Sequence, residues 1–337
     1  MSEPQGSGET ALVIPAHNAK HTIGPCLDAV VPLLGRELSE IVVVDDGSTD
    51  RTAQIAARYP VQVVRGEGEG PSAARNRGWR ATSAERVWFV DADCVAAIDA
   101  LPQLVEVLEA SDCAGVGGSY ANASPDSWLA SLIDDEIALR HDAMSERVDY
   151  LATFNVLYRR SALDKVGGFD ETLIRAEDVD LAWRLLAADE TLRFVRESRV
   201  AHFHERRLWP YLRTQAANGY WRAWLYGTHP EHAGGDSYSG WTDHLQPPLA
   251  LVAAAAFCST PWLATAGIAA AAALATAALQ WPIAMRLGER RGALAALRFG
   301  AVGCARSLAR GLGLALGTIA VGYDRWNRRS RSFAANR

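Results

Sequence analysis

The first part of the chain alternates short apolar runs with segments that carry apolar residues at helical spacing. Apolar, mostly β-branched runs at residues 10–15, 41–44 and 61–64 are typical of buried parallel strands. Helical patterns follow the first two runs, over residues 22–34 and 51–58. Because strands that alternate with helices form βαβ units, the pattern predicts an α/β fold with a mainly parallel sheet and right-handed crossovers.

Two of the predicted strands end in acidic residues. One runs into Asp45 and Asp46, and another ends in Asp91-Ala-Asp93. Side chains two positions apart on an extended segment point the same way, so Asp91 and Asp93 can face one ligand. Oxygens aimed at one point suit a hard cation such as Mg2+ or Mn2+, and such a cation suits phosphates. Asp45 and Asp46 are also candidates, because ligands of open α/β sheets bind beyond the carboxyl ends of strands.

Further candidates for chemistry lie later in the chain. Glu177 and Asp178 begin a helical pattern, where acids favour the helix dipole, but one of them is also placed to act as a general base. His202 and His204 lie on one face of an extended segment, so their imidazoles are candidates to complete a metal site. By contrast, the acids at 134–136 on a predicted helix are typical of a solvated face, and the glycine-rich stretch 66–70 is predicted to be a flexible turn.

Six motifs occur in an order that resembles glycosyltransferase family 2, of the membrane-anchored bacterial type. They are Ile14-Pro-Ala-His-Asn18, Val44-Asp-Asp-Gly-Ser-Thr-Asp50, Gly70-Pro-Ser-Ala-Ala-Arg-Asn76, Asp91-Ala-Asp93, Gly167-Gly-Phe-Asp-Glu171 and Glu177-Asp178. The resemblance covers roughly residues 10–205. It implies the GT-A nucleotide-sugar-binding fold and transfer of a sugar with inversion at the anomeric carbon.

The resemblance also implies roles for single residues in binding the donor. The loop at Pro15 touches the nucleotide base, and Asp45 or Asp46 together with Arg75 binds the base and ribose. Arg75 lies in the first turn of a predicted helix, and the alternative interpretation is that it is an arginine exposed on the surface.

The remaining roles concern the metal and the acceptor. Asp93 holds the cation with help from Asp91, and one of the two histidines, by preference His202, lies near the metal or the diphosphate. Asp178, with Glu177 beside it, removes the proton from the acceptor hydroxyl.

Charge is distributed unevenly along the 337 residues. The formal net charge is −5, yet from Arg286 to the end there are eleven arginines and two acids. Nucleic-acid-binding proteins spread basic residues over the folded domain, so this distribution argues against a nucleic-acid partner. An acidic body with a basic tail is instead typical of a protein held near anionic lipid.

The C-terminal third has the composition of membrane-associated helices. Residues 249–283 contain no charge, and about 20 residues suffice for a span. Trp262 and Trp281 lie at the spacing of two aromatic belts and favour one span, whereas the arginines from 286 onward favour a hairpin that turns near 262–267. A buried soluble hairpin is a further alternative. The stretch 297–323 is predicted to lie in the interface or to return through the membrane.

The predicted organisation is therefore a disordered N-terminus, a GT-A domain, a linker, membrane-associated helices and a basic tail, at residues 1–9, 10–226, 227–248, 249–323 and 324–337. The predicted function is metal-dependent sugar transfer, using Mg2+ or Mn2+, from a nucleotide-diphosphate sugar to a hydroxyl acceptor that is a lipid or is lipid-linked. The predicted location is the cytoplasmic membrane, with the catalytic domain facing the cytoplasm. The alternatives are a nucleotidyltransferase that makes nucleotide sugars and a catalytically inactive membrane scaffold.

Overall fold

The computed structural model describes residues 10–232, 234–259 and 263–335. The chain divides into two compact units, Met1–His204 and Glu205–Arg337. The predicted disordered segment, residues 1–9, lies outside the described residues.

The first unit consists of strands and helices in alternation. Its strands are β1 (Thr10–Ala16), β2 (Glu40–Asp46), β3 (Gln62–Gly66), β4 (Arg86–Val90), β5 (Cys94–Ala96), β6 (Gly115–Asn122), β7 (Arg147–Val148), β8 (Asn155–Arg159) and β9 (Leu192–His202). Its helices are α1 (Ile23–Val30), α2 (Thr52–Ala56), α3 (Pro71–Arg80), α4 (Ala100–Glu109), α5 (Trp128–His141), α6 (Arg160–Val166) and α7 (Glu177–Ala187). This composition confirms the predicted α/β class.

All these strands join one sheet, whose two halves differ in strand direction. The order is β3-β2-β1-β4-β8-β6-β9-β5, with β7 paired to β9. β3, β2, β1 and β4 are parallel, as predicted. β8 runs antiparallel to both β4 and β6, and β5 and β7 run antiparallel to β9, so the sheet as a whole is mixed.

The patterns at residues 192–195 and 198–204 predict two short strands, whereas the structure has one continuous strand, β9. Its pairing with β6 has a register shift, because Gly117 lies opposite Phe194 and Ser119 lies opposite Arg199. The extra residues on β9 form an irregularity between two paired stretches. The two predicted strands are the paired stretches on either side of it.

The parallel half of the sheet is buried on both faces. In β1 the side chains of Leu12 and Ile14 enter one hydrophobic core, and that of Val13 enters the other. Helix α3 covers the second face at close range, since a Cβ on Gly78 would lie 2.3 Å from Cγ1 of Val13. A glycine is therefore required where α3 crosses the strand.

The second unit is helical. Its helices are α8 (Leu208–Thr228), α9 (Trp241–Cys258), α10 (Leu263–Arg291) and α11 (Ala293–Ala335). The predicted domain boundary after residue 226 falls inside α8. The predicted linker, 227–248, includes the start of α9. The helix begins ahead of the two prolines at 247 and 248, where the Asp243 carboxylate accepts a hydrogen bond from the Gly240 amide and caps it.

Within the residues that the structure describes, two helices of this unit are long and apolar enough to cross a membrane, by length and composition. They are Thr265–Arg291 and Ala293–Asn327, and only 22% and 33% of their most apolar windows are buried. Large apolar side chains such as Leu274, Leu297 and Ile319 are exposed. Of the two tryptophans on which the single-span prediction depends, Trp262 lies outside the described residues.

Close packing of α8 and α11 relies on small residues. A Cβ on Gly313 would lie 1.8 Å from the carbonyl oxygen of Ala216. Such close backbone approach is typical of helices that pack within a membrane.

Candidate active site

A cleft of about 620 Å³ lies in the first unit, where β1, β2 and β4 end. Five of the predicted site residues line it, namely Pro15, Asp46, Arg75, Asp91 and Asp93. Parallel neighbouring strands bring their carboxyl ends to one edge of the sheet, which is why residues distant in sequence meet there. Four other predicted site residues do not line this cleft in the described part of the chain, namely Asp45, Glu177, Asp178 and His202. Two of these, Glu177 and His202, contact residues that do line it.

The Asp46 carboxylate holds the glycine-rich loop that follows β3. Its Oδ1 accepts hydrogen bonds from the amides of Gly68 and Glu69 at 3.0 and 3.1 Å, and its Oδ2 accepts one from Gly70 at 2.8 Å. The loop predicted to be a flexible turn is thus anchored at one wall of the cleft. The neighbouring Asp45 is also buried, and its Oδ1 makes no hydrogen bond to any described residue.

Arg75 connects the end of β4 to the start of α7. Its guanidinium, 5% exposed, donates to Oδ1 of Asp91 at 2.7 Å and to Oε1 of Glu177 at 2.6 Å. Burial acts to lower the pKa of Arg75, but the two carboxylates outweigh it and hold the pKa above its usual range. Both terminal nitrogens are therefore engaged within the protein, and contact with a nucleotide stays a prediction.

The start of α7 places Glu177 and Asp178 in different surroundings. The preceding residue, Ala176, has φ of 63°, a left-handed conformation that is rare for alanine and marks a constrained junction. Glu177 is buried against Arg75. Asp178 accepts a hydrogen bond from the Tyr150 hydroxyl at 3.2 Å. Of the two acids, Asp178 is the one whose carboxylate does not pair with Arg75.

The Gly167–Glu171 motif is held by helix α3. The side-chain amide of Asn76 donates to the carbonyl of Phe169 at 2.8 Å and accepts from the Phe169 amide at 2.9 Å. Ser72 of the same helix donates to the carbonyl of Leu173 at 2.6 Å. These contacts fix the segment that leads into α7 and thereby the position of Asp178.

Asp93, Cys94 and His202 form a group whose candidate ligand atoms lie within 4.8 Å of one another. Antiparallel pairing of β5 with β9 sets Cys94 opposite His202, so Nε2 of His202 lies 3.3 Å from Oδ2 of Asp93. Burial acts to raise the pKa of Asp93 and to lower that of His202. Their mutual contact outweighs burial, so the pKa of Asp93 is lowered and that of His202 is raised.

The donor atoms in this group suit a divalent cation. Burial raises the pKa of the Cys94 thiol well above its usual value, so at neutral pH it is a neutral thiol and a poor ligand for a hard cation. The Asp93 carboxylate, 45% exposed at the cleft, and the His202 imidazole remain as oxygen and nitrogen donors, with Asp91 in the same cleft. Of the two histidines, His202 is the one beside Asp93.

The acidic run 134–136 is not the solvated face that the sequence predicted. Glu136 is 6% exposed and pairs with Arg140 at 3.0 Å. It lies on the same helical face as the buried Leu129, Leu132 and Leu139, and this spacing was the signal that could have revealed its burial. Asp134 reaches His204, with 3.5 Å between Oδ1 and Nε2, and no local pattern announced that contact.

Comparison with known proteins identifies the family. Residues 11–167 match the model of Glycosyl transferase family 2. A pre-mycofactocin glycosyltransferase of Mycobacterium tuberculosis is 30% identical over 211 residues, which cover 57% of this chain and 43% of that protein. A dolichol-phosphate mannosyltransferase of Pyrococcus furiosus is 29% identical over 126 residues, or 36% of each protein. The matched segments thus span less than half the length of both relatives.

Among solved structures, the chain is similar to a mannosyltransferase from Pyrobaculum calidifontis that was determined in complex with GDP-Man and Mn2+. The TM-score is 0.52 at 20% sequence identity, and the match covers 95% of this chain and 88% of that one. This likeness confirms the GT-A fold. Residues 11–167, within the first unit, therefore belong to glycosyltransferase family 2, a family of enzymes.

Proposed function

We propose that this protein transfers a sugar from a nucleoside-diphosphate sugar to a hydroxyl acceptor, with a divalent cation as cofactor and inversion at the anomeric carbon. The observation that carries this proposal is the cleft shared by Asp46, Arg75, Asp91 and Asp93 at the ends of parallel strands, in a chain of this family. The mannosyltransferase of the same fold was determined with GDP-Man and Mn2+, which supports both the donor class and the metal.

Asp93 and His202 are the residues that would hold the cation, with Asp91 beside them. Their oxygen and nitrogen atoms suit Mg2+ or Mn2+. When bound, the cation would neutralise the charge that develops on the departing diphosphate. Pro15, with Asp45 or Asp46, forms the proposed nucleotide wall, and the loop 68–70 that Asp46 anchors lies at its edge.

Asp178 is the proposed general base. It takes the proton from the acceptor hydroxyl, whose oxygen attacks the anomeric carbon on the face opposite the diphosphate. Glu177 has an indirect role, because its carboxylate is engaged by Arg75. Arg75 ties Asp91 at the donor site to the first residue of α7, and so holds the proposed base at a set distance from the donor.

The metal-dependent part of this proposal is tested with Asp93→Asn in the full chain. We expect the Mn2+ concentration for half-maximal sugar transfer to rise about 100-fold, which corresponds to ~2.7 kcal/mol. The measurement is transfer and hydrolysis across a panel of nucleotide sugars at varied Mn2+. Asp99→Asn, an exposed aspartate six positions along, is the control and should leave the Mn2+ response unchanged.

Three results would count against the proposal. An unchanged Mn2+ response in Asp93→Asn would remove the metal site. Release of pyrophosphate in place of the nucleoside diphosphate would identify a nucleotidyltransferase. An absence of heat on titration with UDP, GDP and Mn2+ together, with no transfer from any donor, would favour an inactive scaffold.

A membrane location is proposed from the second unit. The apolar side chains on Thr265–Arg291 and Ala293–Asn327 are largely exposed, as suits contact with lipid. The arginines from 286 onward favour the cytoplasmic side, and we place the first unit on that side. A lipid or lipid-linked acceptor follows from this location, and the relative named dolichol-phosphate mannosyltransferase supports it.

The membrane proposal is tested by extraction. The full chain should remain with membranes after an alkaline carbonate wash and be released by detergent. Leu274, 71% exposed near the middle of the first apolar helix, provides the variant. Leu274→Asp should lower the membrane-bound fraction, because aspartate at the centre of a span costs about 3 kcal/mol. Leu274→Ile should not, and release of the unaltered chain by carbonate alone would exclude a span.

A further inference from the structure

A large apolar side chain, that of Ile174, lies uncovered at the cleft in the first unit. It is 41% exposed and lines the cleft, where the other large apolar side chain among the described residues is Phe203. The remaining lining residues are prolines or are small, polar or charged. Covering an apolar group with a ligand is favourable, and ligand sites commonly combine such groups with a few polar ones. Ile174 is therefore a candidate to contact the substrate.

The backbone around Ile174 is held from two sides. The preceding residue, Leu173, is buried, and its carbonyl accepts a hydrogen bond from the Ser72 hydroxyl at 2.6 Å. On the other side, Gly70 leaves room for the isoleucine, because a Cβ on that glycine would lie 2.9 Å from Cδ1 of Ile174. The place of Ile174 at the cleft is thus set by contacts with the start of α3 and with the loop before it.

The position of Ile174 in the chain relates it to the sugar of the donor. It precedes Asp178 by four residues, and within the part of the chain that the structure describes Ile174 lines the cleft whereas Asp178 does not. In the proposed reaction the anomeric carbon lies between the diphosphate, which the cation at Asp93 binds, and the hydroxyl that Asp178 deprotonates. The part of the donor that extends from the cation towards the segment before α7 is therefore its sugar. The C–H groups of a sugar ring pack on an aliphatic side chain, whereas a charged diphosphate gains nothing from it.

The charges at the cleft favour a neutral sugar. Three carboxylates line it, those of Asp46, Asp91 and Asp93, and Arg75 is the single arginine or lysine among the described lining residues. The Arg75 guanidinium already pairs with Asp91 and Glu177. A divalent cation would balance the diphosphate, so a further negative charge on the sugar would lose water and meet carboxylates.

We propose that the donor carries a neutral sugar and that the side chain of Ile174 contacts the sugar ring, which makes Ile174 a specificity-determining residue. This inference rests on the proposed function, because it concerns the donor of the same reaction. Ile174 lies outside all six sequence motifs, so no local pattern marked it as a site residue. If it contacts the sugar, changes at Ile174 alter binding of the sugar and leave binding of the nucleotide as it is.

The first test compares nucleotide sugars with their nucleotides. Binding of UDP-glucose, UDP-N-acetylglucosamine, GDP-mannose, UDP and GDP to the full chain is measured by calorimetry with Mn2+ and without acceptor. In Ile174→Ala the nucleotide sugars that the unaltered protein binds should bind about fivefold more weakly, because three carbon atoms are removed from the contact surface. The affinity for UDP or GDP alone should stay within about twofold, because the nucleotide does not reach this side chain.

Two further variants serve as controls for this test. Ile98→Ala makes the same change at an isoleucine that is 65% exposed and is not among the described residues that line the cleft, so it should leave every affinity unchanged. Ile174→Leu keeps an aliphatic side chain of the same size and should bind nucleotide sugars within about twofold of the unaltered protein. Thermal unfolding of each variant checks the fold.

The charge of the sugar is tested with matched donors. UDP-glucose and UDP-glucuronate differ only at C6, which carries a hydroxyl group in the first and is a carboxylate in the second, and GDP-mannose and GDP-mannuronate differ in the same way. The neutral member of the pair that binds should bind about tenfold more tightly or better, because the carboxylate of the other would lie among the acids of the cleft. Equal or tighter binding of the charged sugar would overturn this part of the inference.

A pair of glycine variants moves Ile174 without changing it. Gly70→Ala places a Cβ 2.9 Å from Cδ1 of Ile174, so the isoleucine has to shift. Gly68→Ala is the control, because φ is positive at both glycines, 81° at Gly68 and 103° at Gly70, but a Cβ on Gly68 would meet no described atom within 4 Å. The affinity for a nucleotide sugar relative to its nucleotide should fall about threefold more in Gly70→Ala than in Gly68→Ala. In the background of Ile174→Ala, which lacks Cδ1, Gly70→Ala should change this ratio no more than Gly68→Ala does.

The outcomes separate this inference from the proposed function. If Ile174→Ala weakens binding of UDP or GDP as much as that of the nucleotide sugar, the isoleucine does not read the sugar, and its proposed role is overturned. An unchanged affinity for nucleotide sugars in Ile174→Ala overturns it as well, whereas loss of the Mn2+ response in Asp93→Asn would still support the proposed function. If the unaltered protein binds neither nucleotides nor nucleotide sugars with Mn2+, both proposals fail together.

Discussion

Replacement of Asp178 by asparagine should lower the rate of sugar transfer about 100-fold to 10,000-fold, the usual contribution of a general base. Asparagine preserves the shape of the side chain and its hydrogen bond from Tyr150, but it cannot take a proton. Because Asp178 is proposed to act on the acceptor and not on the donor, binding of the nucleotide sugar should change little. The measurement is kcat and KM for donor and acceptor, with thermal unfolding as a check on the fold.

The control for this prediction is Asp164→Asn. This variant makes the same chemical change at an exposed residue of α6. The kcat of Asp164→Asn should therefore equal that of the unaltered protein within experimental error. A transfer rate in Asp178→Asn close to that of the unaltered protein, with the fold intact, would show that another group accepts the proton. Glu177→Gln would then be the next variant, although its contact with Arg75 predicts that it loses stability as well as rate.

The second large effect concerns stability. Arg75→Met should lower the free energy of unfolding by about 3–5 kcal/mol, the typical cost of removing one partner from a buried ion pair. Methionine is also a long side chain, but it lacks the guanidinium that pairs with both acids. The carboxylates of Glu177, whose side chain is 10% exposed, and Asp91, whose side chain is 29% exposed, are then left without that positive charge. The measurement is denaturant unfolding of the full chain followed by a probe in the first unit.

Arg80→Met provides the matched control on the same helix. Arg80 pairs with Glu171 at 3.3 Å, but both side chains are 50% exposed, so its loss should cost about 1 kcal/mol or less. In a double-mutant cycle, adding Glu177→Gln to Arg75→Met should recover part of the lost free energy of unfolding. The reason is that the buried charge of Glu177 is then removed along with its partner. Equal effects of Arg75→Met and Arg80→Met would mean that burial adds nothing to the Arg75 pairs.

Together these two predictions separate what holds the site from what acts in it. Arg75 reaches Asp91 and Glu177, which lie 16 and 102 positions away in sequence. Breaking this link should therefore lower both the stability and the transfer rate, because the same pairs hold the proposed base relative to the donor site. A loss of kcat with full stability is expected only when the acting group itself is changed, as in Asp178→Asn.

Much of the first unit was readable from local patterns. A run of β-branched residues is the composition of a strand buried on both faces, and it can be recognised from the run itself. The strands β1, β2, β3 and β4 were therefore predicted correctly. Acids directly after such strands must lie at the sheet edge where parallel strands end, which is why Asp46, Asp91 and Asp93 share a cleft. The common pocket predicted from the sequence also included Asp178, which does not line this cleft. Length and composition likewise predicted the apolar helices of the second unit.

What the sequence by itself determined is therefore the α/β class, the family and the acidic edge of the sheet, because each follows from residues near one another in the chain. The tertiary structure alone decided the strand directions in the mixed half of the sheet, the anchoring of the loop 68–70 by Asp46, and the contact of Asp134 with His204. These depend on which distant segments pack together. Local propensity carries no information about such partners, so the same Asp134 that is typical of a solvated helix face lies, once α5 has packed, beside a buried imidazole.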